Sequence, residues 1–141
     1  MASGGTRKAM AFRFDPDTVQ HLKRRARELG SPQTALAERY IEEGLRMDEH
    51  PLICFRSGEA GRRPALVGSR LDVADVIETI RQNAGSVEDA ADYLELPVGH
   101  VEACLRYYVD YQDEVDEWIE RGRAARERER ERFRRQREAL A

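Results

Sequence analysis

A seven-residue run near the N terminus, residues 9–15, alternates between large apolar side chains and small or charged ones. No second strand-like run lies close to it in the sequence. Its two faces are Met10, Phe12 and Phe14 on one side and Ala9, Ala11 and Arg13 on the other. A lone strand leaves its backbone N–H and C=O groups unpaired, so this run needs a partner strand. We expect that partner to be the same run from a second copy, in a two-stranded antiparallel ribbon that buries the three large side chains.

Two helices are predicted immediately after this run. Asp15 is a good N-cap residue, Pro16 suits the first helical position, and Gly30 suits the left-handed residue that ends a helix. Ser31 and Pro32 then begin a second helix. Apolar residues recur at helical spacing in both helices, at Val19, Leu22, Ala26 and Leu29 and then at Leu36, Tyr40, Ile41 and Leu45.

The outer face of such a ribbon has the shape of a DNA reader. A two-stranded antiparallel ribbon fits the major groove, where an arginine such as Arg13 can bond both acceptors of guanine. The N–H groups at the start of the second helix form an anion site suited to a phosphate. The predicted DNA contacts are Lys8, Ala9, Ala11, Arg13, Ser31, Gln33 and Thr34. The alternative is an amphipathic dimerisation ribbon that does not touch DNA.

This segment resembles the ribbon-helix-helix family of bacterial repressors, the Arc/MetJ type. The similarity covers about residues 8–46 and rests on the strand, the capped helix, Gly30 and the Ser-Pro helix start. It implies a DNA-binding and dimerisation domain over residues 8–47, with its ribbon in the major groove. Ala9 and Ala11 replace the polar readers usual in the family, which leaves methyl contacts and Arg13 to read the bases.

A second segment, residues 48–119, predicts a hairpin followed by three helices. Two short β-type runs, 52–55 and 65–67, lie among Gly, Pro and Arg residues and predict the hairpin. The first helix is capped by Asp72 and begins at residue 73. The second is capped by Ser86 and covers residues 87–94. The third begins after Pro97 and covers residues 98–111.

Charge separates this middle segment from its neighbours. It has sixteen Asp/Glu and six Lys/Arg, whereas residues 1–47 have nine Lys/Arg and six Asp/Glu. Residues 85–108 look like a helix-turn-helix, but their second helix is acidic. Because phosphate would repel this unit, we do not expect it to read DNA.

The middle segment also resembles the domain-of-unknown-function 433 family, which often supplies the antitoxin beside a PIN-like ribonuclease toxin. The similarity covers about residues 49–119 and is carried by residues 50–53, 68–73, 86–88, 96–97 and 103–108. It implies a three-helix unit with a leading hairpin and a role in a toxin–antitoxin pair. For Gly68, Ser69 and Arg70, the most distinctive piece, two roles remain open: a binding role, and a turn that orders the hairpin against the first helix.

Residues 120–141 form a charged C-terminal arm, in which Glu and Arg nearly alternate. Phe133 and Leu140 lie seven residues apart on roughly one side of a predicted helix. The arm either folds along a partner, with arginines entering an acidic groove, or is a solvated helical extension. PIN-type nucleases hold metal with clustered carboxylates, so the resemblance implies that an arginine would compete there with the cation. The predicted partner contacts are Tyr111, Trp118, Arg126, Arg130 and Phe133; Tyr107 and Tyr108 are at least as well explained as core.

The remaining features exclude several classes of protein. Charged residues make up 36% of the 141 residues, which disfavours one large enzyme-type core. No catalytic, cofactor or metal-ligand constellation is present, so we expect neither an enzyme nor a cofactor. No apolar run is long enough to span a membrane, and the first eight residues do not resemble a secretory signal. Cys54 and Cys104 lack metal or redox spacing, and we expect reduced, packed thiols in a cytoplasmic protein.

The sequence therefore predicts a mostly α protein with a ribbon-helix-helix module, a hairpin plus three-helix domain and a charged C-terminal helix. The expected function is that of an antitoxin that neutralises a PIN-like toxin by direct binding and represses its own operon as a homodimer on double-stranded DNA. One alternative is a stand-alone dimeric regulator whose middle domain senses a ligand or protein. Another is a structural adaptor that dimerises without DNA.

Overall fold

A computed structural model describes residues 5–141 as two compact units, one ending at Pro51 and the other beginning at Leu52. The described chain is mostly helical, with six helices and one two-stranded antiparallel sheet. We expect no secretory signal in residues 1–8. Of these, residues 1–4 lie outside the described residues. No described helix combines the length and the apolar character that crossing a membrane requires.

The N-terminal unit contains two helices, α1 (Pro16–Leu29) and α2 (Gln33–Glu49). Both confirm the prediction, because their ends are set by local chemistry. Asp15 stands at the N-cap position of α1, where its side chain makes no capping hydrogen bond, and proline follows it. Gly30 takes the left-handed conformation (φ 63°) at the C-terminal end. The Gly30 residue allows an immediate turn into α2.

Residues 6–15, which include the predicted strand, have neither helical nor strand structure in the single chain. This differs from the predicted strand and has a simple reason. A strand is defined by hydrogen bonds to a neighbouring strand, and the predicted neighbour belongs to a second copy. The rings of Phe12 and Phe14 nevertheless lie on the same side of the segment, with centroids 6.0 Å apart.

The C-terminal unit begins with a hairpin of β1 (Ile53–Gly58) and β2 (Gly61–Leu66), joined by a two-residue turn. Ile53 pairs with Leu66, and Gly58 pairs with Gly61. The predicted hairpin is confirmed, but its strands run further than predicted, through the polar residues 56–63. Backbone pairing continues up to the tight turn whatever the side chains are. A prediction based on apolar residues alone therefore makes the strands too short.

Three helices follow the hairpin as predicted: α3 (Val73–Gln82), α4 (Val87–Leu94) and α5 (Val98–Asp110). Local caps set the starts of α3 and α4. The Asp72 amide donates a hydrogen bond to the Asp75 carboxylate at 2.9 Å, and the Asp89 amide donates to the Ser86 hydroxyl at 3.1 Å.

The core of the C-terminal unit is built around Tyr107, which is fully buried. Its ring meets Phe55 edge-on at 6.4 Å and lies 4.7 Å from the ring of Tyr111. The largest fully buried aliphatic side chains of this unit are Ile53, Leu66, Val73, Val76, Val101 and Val115. Cys104 is buried among them, and desolvation raises the pKa of its thiol to about 12, which fits the predicted packed thiol.

The segment 68–70 orders the hairpin against α3. Ser69 donates its hydroxyl to the Leu66 carbonyl at 3.1 Å and accepts from the Leu71 amide at 3.1 Å. Arg56 also donates to the Leu66 carbonyl at 2.7 Å, as well as to the carbonyl of Ser69. These contacts favour the turn role that the sequence left open for this segment.

The last helix, α6 (Gln112–Ala139), spans 28 residues and crosses position 120 without a break. Tyr111 separates it from α5. Val115 and Ile119 are buried in the core, whereas residues 127–141 are exposed except for half-buried Glu131. Glu, Arg and Ala are good helix formers, so the charged arm continues the helix that the core begins.

Candidate nucleic-acid and partner interfaces

The N-terminal unit leaves most of its large apolar side chains exposed. Met10, Phe12 and Phe14 are 78%, 55% and 58% exposed, and within the described part of this unit only Ala26 and Leu36 are buried apolar residues. Further exposed apolar residues are Leu29, Tyr40, Ile41, Leu45 and Met47. A helical pair with so small a core is not stable alone in water, because burial supplies the main favourable term in folding.

Three of these exposed apolar residues, Phe14, Tyr40 and Ile41, line a groove between α1 and α2 with a volume of about 520 Å³. The other residues that line it are Thr18, Val19, His21, Leu22, Arg25 and Ala37. Phe14 is the last large residue of the alternating run, so the groove and the run present one continuous apolar surface. Open apolar surfaces of this kind mark protein–protein contacts, membrane contacts or ligand-binding grooves.

The four predicted DNA contacts of the run, Lys8, Ala9, Ala11 and Arg13, are all exposed. Phe12 and Phe14 share one side of the segment, as alternation predicts. A paired strand would place Arg13 on the side opposite these two rings. The cation would then stand on the outer face of a ribbon whose inner face is apolar.

The other predicted DNA contacts lie at the start of α2. The helix begins at Gln33 after an N-cap proline, Pro32, and no side chain caps it. Its first amides, on Gln33 and Thr34, therefore have no helical partner and no side-chain acceptor. Both residues are exposed, while Ser31 is half-buried and its amide donates to the Ala26 carbonyl at 2.9 Å. Helix starts of this form bind phosphate.

Two of the predicted partner contacts belong to the C-terminal unit's own packing. Tyr111 is half-buried against Tyr107, which leaves only part of its ring available. Trp118 is also half-buried: it lines a cleft of about 190 Å³, and the Arg121 guanidinium lies over its ring at 4.9 Å. The indole thus stands at the border between the packed and exposed parts of α6.

The other three partner contacts lie on the arm. Arg126 donates to both carboxylate oxygens of Glu78 on α3, at 3.0 and 3.2 Å, and so ties the arm's base to the core. Arg130 and Phe133 are exposed further along α6, and the Arg137 guanidinium lies over the Phe133 ring at 5.9 Å. The exposed part of the arm therefore carries cations and one aromatic ring.

The cleft beside Trp118 contains residues that sequence reasoning missed. Arg63 of β2 pairs with Asp72 at 2.6 Å, at one end, and Arg126 pairs with Glu78 at the other. Desolvation raises the pKa of Asp72, and the charge of Arg63 opposes that rise. Each arginine neutralises a carboxylate inside the unit, so the cleft is balanced in charge. In the sequence, the feature closest to this pair is Asp72 itself, which is predicted only as a helix cap.

Among residues 5–141, no three His, Cys, Asp or Glu side chains are grouped closely enough to hold a metal ion. No family model, curated protein or solved structure compared with this chain matches it.

Proposed function

We propose that this protein is a dimeric DNA-binding repressor that also acts as an antitoxin. The N-terminal unit pairs with that of a second copy and binds operator DNA. The C-terminal unit and its arm bind and neutralise a PIN-like ribonuclease toxin in the cytoplasm. The observation that carries the proposal is the exposed apolar surface of the N-terminal unit, on the same segment as Arg13.

Dimerisation follows from the apolar side chains that a pair of chains can bury and a single chain leaves exposed. Each fully buried Phe or Met side chain contributes about 1.5–3 kcal/mol relative to an exposed one. Met10, Phe12 and Phe14 are exposed in the single chain, so six such side chains become available in a symmetric pair. A paired ribbon also satisfies the backbone groups of residues 9–15. Both terms favour a ribbon-helix-helix dimer over any arrangement of one chain.

DNA binding follows from what that dimer would present. Two Arg13 side chains would stand on the outer face of the ribbon, and two uncapped starts of α2 would stand beside it. Arginine suits the two acceptors of guanine, and helix-start amides suit phosphate. The combination gives base reading and backbone anchoring in one surface.

Replacing Arg13 by alanine is expected to weaken specific DNA binding by about 1–3 kcal/mol for each of the two arginines in the dimer. Quantitative gel shifts with the DNA upstream of the gene would measure this loss. The matched control is Lys8→Ala, which removes one exposed cation and should weaken specific and non-specific binding alike, with a smaller salt dependence. Unchanged specific affinity in the Arg13 variant would show that the ribbon does not read the bases.

Two features support the antitoxin role: the motifs at residues 50–53 and 68–73, on which the expected resemblance to an antitoxin-associated family rests, and the cationic arm. The arm carries nine arginines and five glutamates between residues 120 and 141. Residues 127–141 are almost fully exposed, so Arg130 and Phe133 are available to a partner without any rearrangement of the core. An acidic metal-binding groove in a nuclease is a complementary surface for such an arm.

Co-expression with the product of the neighbouring reading frame tests this role. We expect a stable complex and rescue of growth, and we expect Arg130→Glu with Phe133→Asp to abolish both. The Arg13→Ala variant is the control, because it should lose operator binding while still neutralising the toxin. If no small neighbour with spaced acidic residues exists, or if the unmodified chain does not rescue growth, the stand-alone regulator becomes the better account. Rescue by the arm variant would show that the arm is not the toxin-binding surface.

A further inference from the structure

The packed side of α6 continues past the core of its unit as an exposed stripe. Val115 and Ile119 are buried on this side, and Arg126 contacts Glu78 on it. Continuing at the same helical spacing of three and four residues, the stripe passes through Arg130, Phe133, Arg137 and Leu140. Phe133 is 59% exposed and Leu140 is 89% exposed. None of the arm's five glutamates lies on this stripe, so it is both basic and apolar.

A complementary surface lies on α4 of the same unit. Ala90 and Ala91 face the core, and the opposite side carries Glu88, Asp89, Asp92 and Tyr93. Tyr93 is 74% exposed, which is unusual for an aromatic residue with no role in the core. Between Arg81 and Arg106 the sequence has five carboxylates and no Lys or Arg. We name the Glu88, Asp89, Asp92 and Tyr93 surface the acidic face of α4.

We propose that the arm of one copy docks onto the acidic face of α4 in a second copy. Arg130 and Arg137 would pair with the carboxylates, and Phe133 would pack against Tyr93. An aromatic anchor surrounded by complementary charges is the usual composition of an interface hot spot. Because α6 is one continuous helix of 28 residues, its outer half projects away from its own core rather than returning to it. Reciprocal exchange of two arms closes the pair with two-fold symmetry.

The arm would then have two competing partners, a conclusion that rests on the proposed antitoxin function. Arg130 and Phe133 are used in both contacts, so a bound toxin would release the arms from α4. The self-docking itself requires neither toxin nor DNA. It can therefore be tested on the full chain alone.

The test uses the full chain carrying Phe12→Asp and Phe14→Asp, which removes the N-terminal ribbon as a source of dimers. Sedimentation velocity over a concentration series at about 0.05 M salt should still show self-association, and about 0.5 M salt should suppress it. Adding Phe133→Asp should weaken the association at least about tenfold. Reversing the acidic face with Asp89→Arg and Asp92→Arg should do the same.

Charge reversal on both sides keeps the test decisive. Arg130→Glu with Arg137→Glu, combined with the reversed acidic face, should restore association to within about threefold. Glu59→Arg with Asp113→Arg is the control, because it makes an equal charge change at exposed sites elsewhere and should change association less than about twofold. A monomer at low salt, a control as damaging as the acidic-face variant, or no recovery in the combined variant would each overturn the proposal. None of these outcomes bears on the ribbon dimer, which the background has already removed.

Discussion

A chain carrying Phe12→Asp and Phe14→Asp should sediment as a monomer at about 0.5 M salt and should lose specific DNA binding at least about a hundredfold. The two rings are more than half exposed in the single chain, and their proposed role is to lie beneath the ribbon of the dimer. Four aspartates would then have to be buried together in one small core. Burying an unpaired carboxylate costs several kcal/mol, so the ribbon cannot form.

The loss of DNA binding follows from the loss of the dimer. A monomer offers one Arg13 and one start of α2, without a ribbon to set their spacing. Analytical ultracentrifugation and gel shifts on the same preparation would measure both effects. The matched control is Val67→Asp with Val109→Asp, which adds the same charge at exposed apolar positions of the C-terminal unit. That control should remain dimeric and bind DNA, and a monomeric control would mean that added charge alone separates the copies.

If the Phe12 and Phe14 variant remains dimeric at high salt, the exposed apolar surface is not the dimer interface. If it becomes monomeric but binds DNA as tightly as the unmodified chain, the ribbon is not the DNA reader. The first result would remove the basis of the proposed function. The second would show that another part of the chain binds the DNA and that the N-terminal segment only dimerises.

Replacing Tyr107 by alanine should destabilise the C-terminal unit by about 3–5 kcal/mol, while leaving the N-terminal unit able to bind DNA. Tyr107 is fully buried and meets both Phe55 and Tyr111, so its removal leaves a cavity at the centre of the core. The two units have separate cores, so the damage should stay in one of them.

Trp118 makes this loss simple to measure, because it is the only tryptophan in the chain and lies in the C-terminal unit. Urea titration followed by its fluorescence should show an earlier transition in the Tyr107 variant. Tyr93→Ala makes the same chemical change on the surface and should shift stability by less than about 0.5 kcal/mol at high salt. The operator affinity of the Tyr107 variant should remain within about twofold of that of the unmodified chain. If the Tyr107 variant lost stability in the urea titration and DNA binding to the same extent, the two units would not fold independently.

Several elements could be read directly from the sequence because short-range chemistry determines them. Pro16 and Gly30 set the two ends of α1, and the Ser86 hydroxyl accepts a hydrogen bond from an amide three residues away. Each of these interactions is complete within a few residues of chain, so no knowledge of packing is needed. The hairpin and the three helices of the middle segment were predictable for the same reason.

Other features required the tertiary structure. Arg126 and Glu78 are 48 residues apart, and nothing in the alternating Glu and Arg pattern distinguishes Arg126 from its neighbours. The half-buried positions of Tyr111 and Trp118 likewise depend on how α6 packs against the core. Periodicity assigns a residue to a face, but it does not say where the neighbouring element ends.

The sequence by itself determined the helices, their caps, the hairpin and the separation of charge along the chain, because these depend on residues close together in sequence. The tertiary structure decided the extent of the strands, the core around Tyr107 and the point at which α6 leaves that core. It did so because a buried contact needs two distant segments in a common geometry, and that geometry comes from the packing of the whole unit rather than from either segment. The same reason applies to the apolar run before α1, since the strand predicted there would take its hydrogen-bond partners from a second chain.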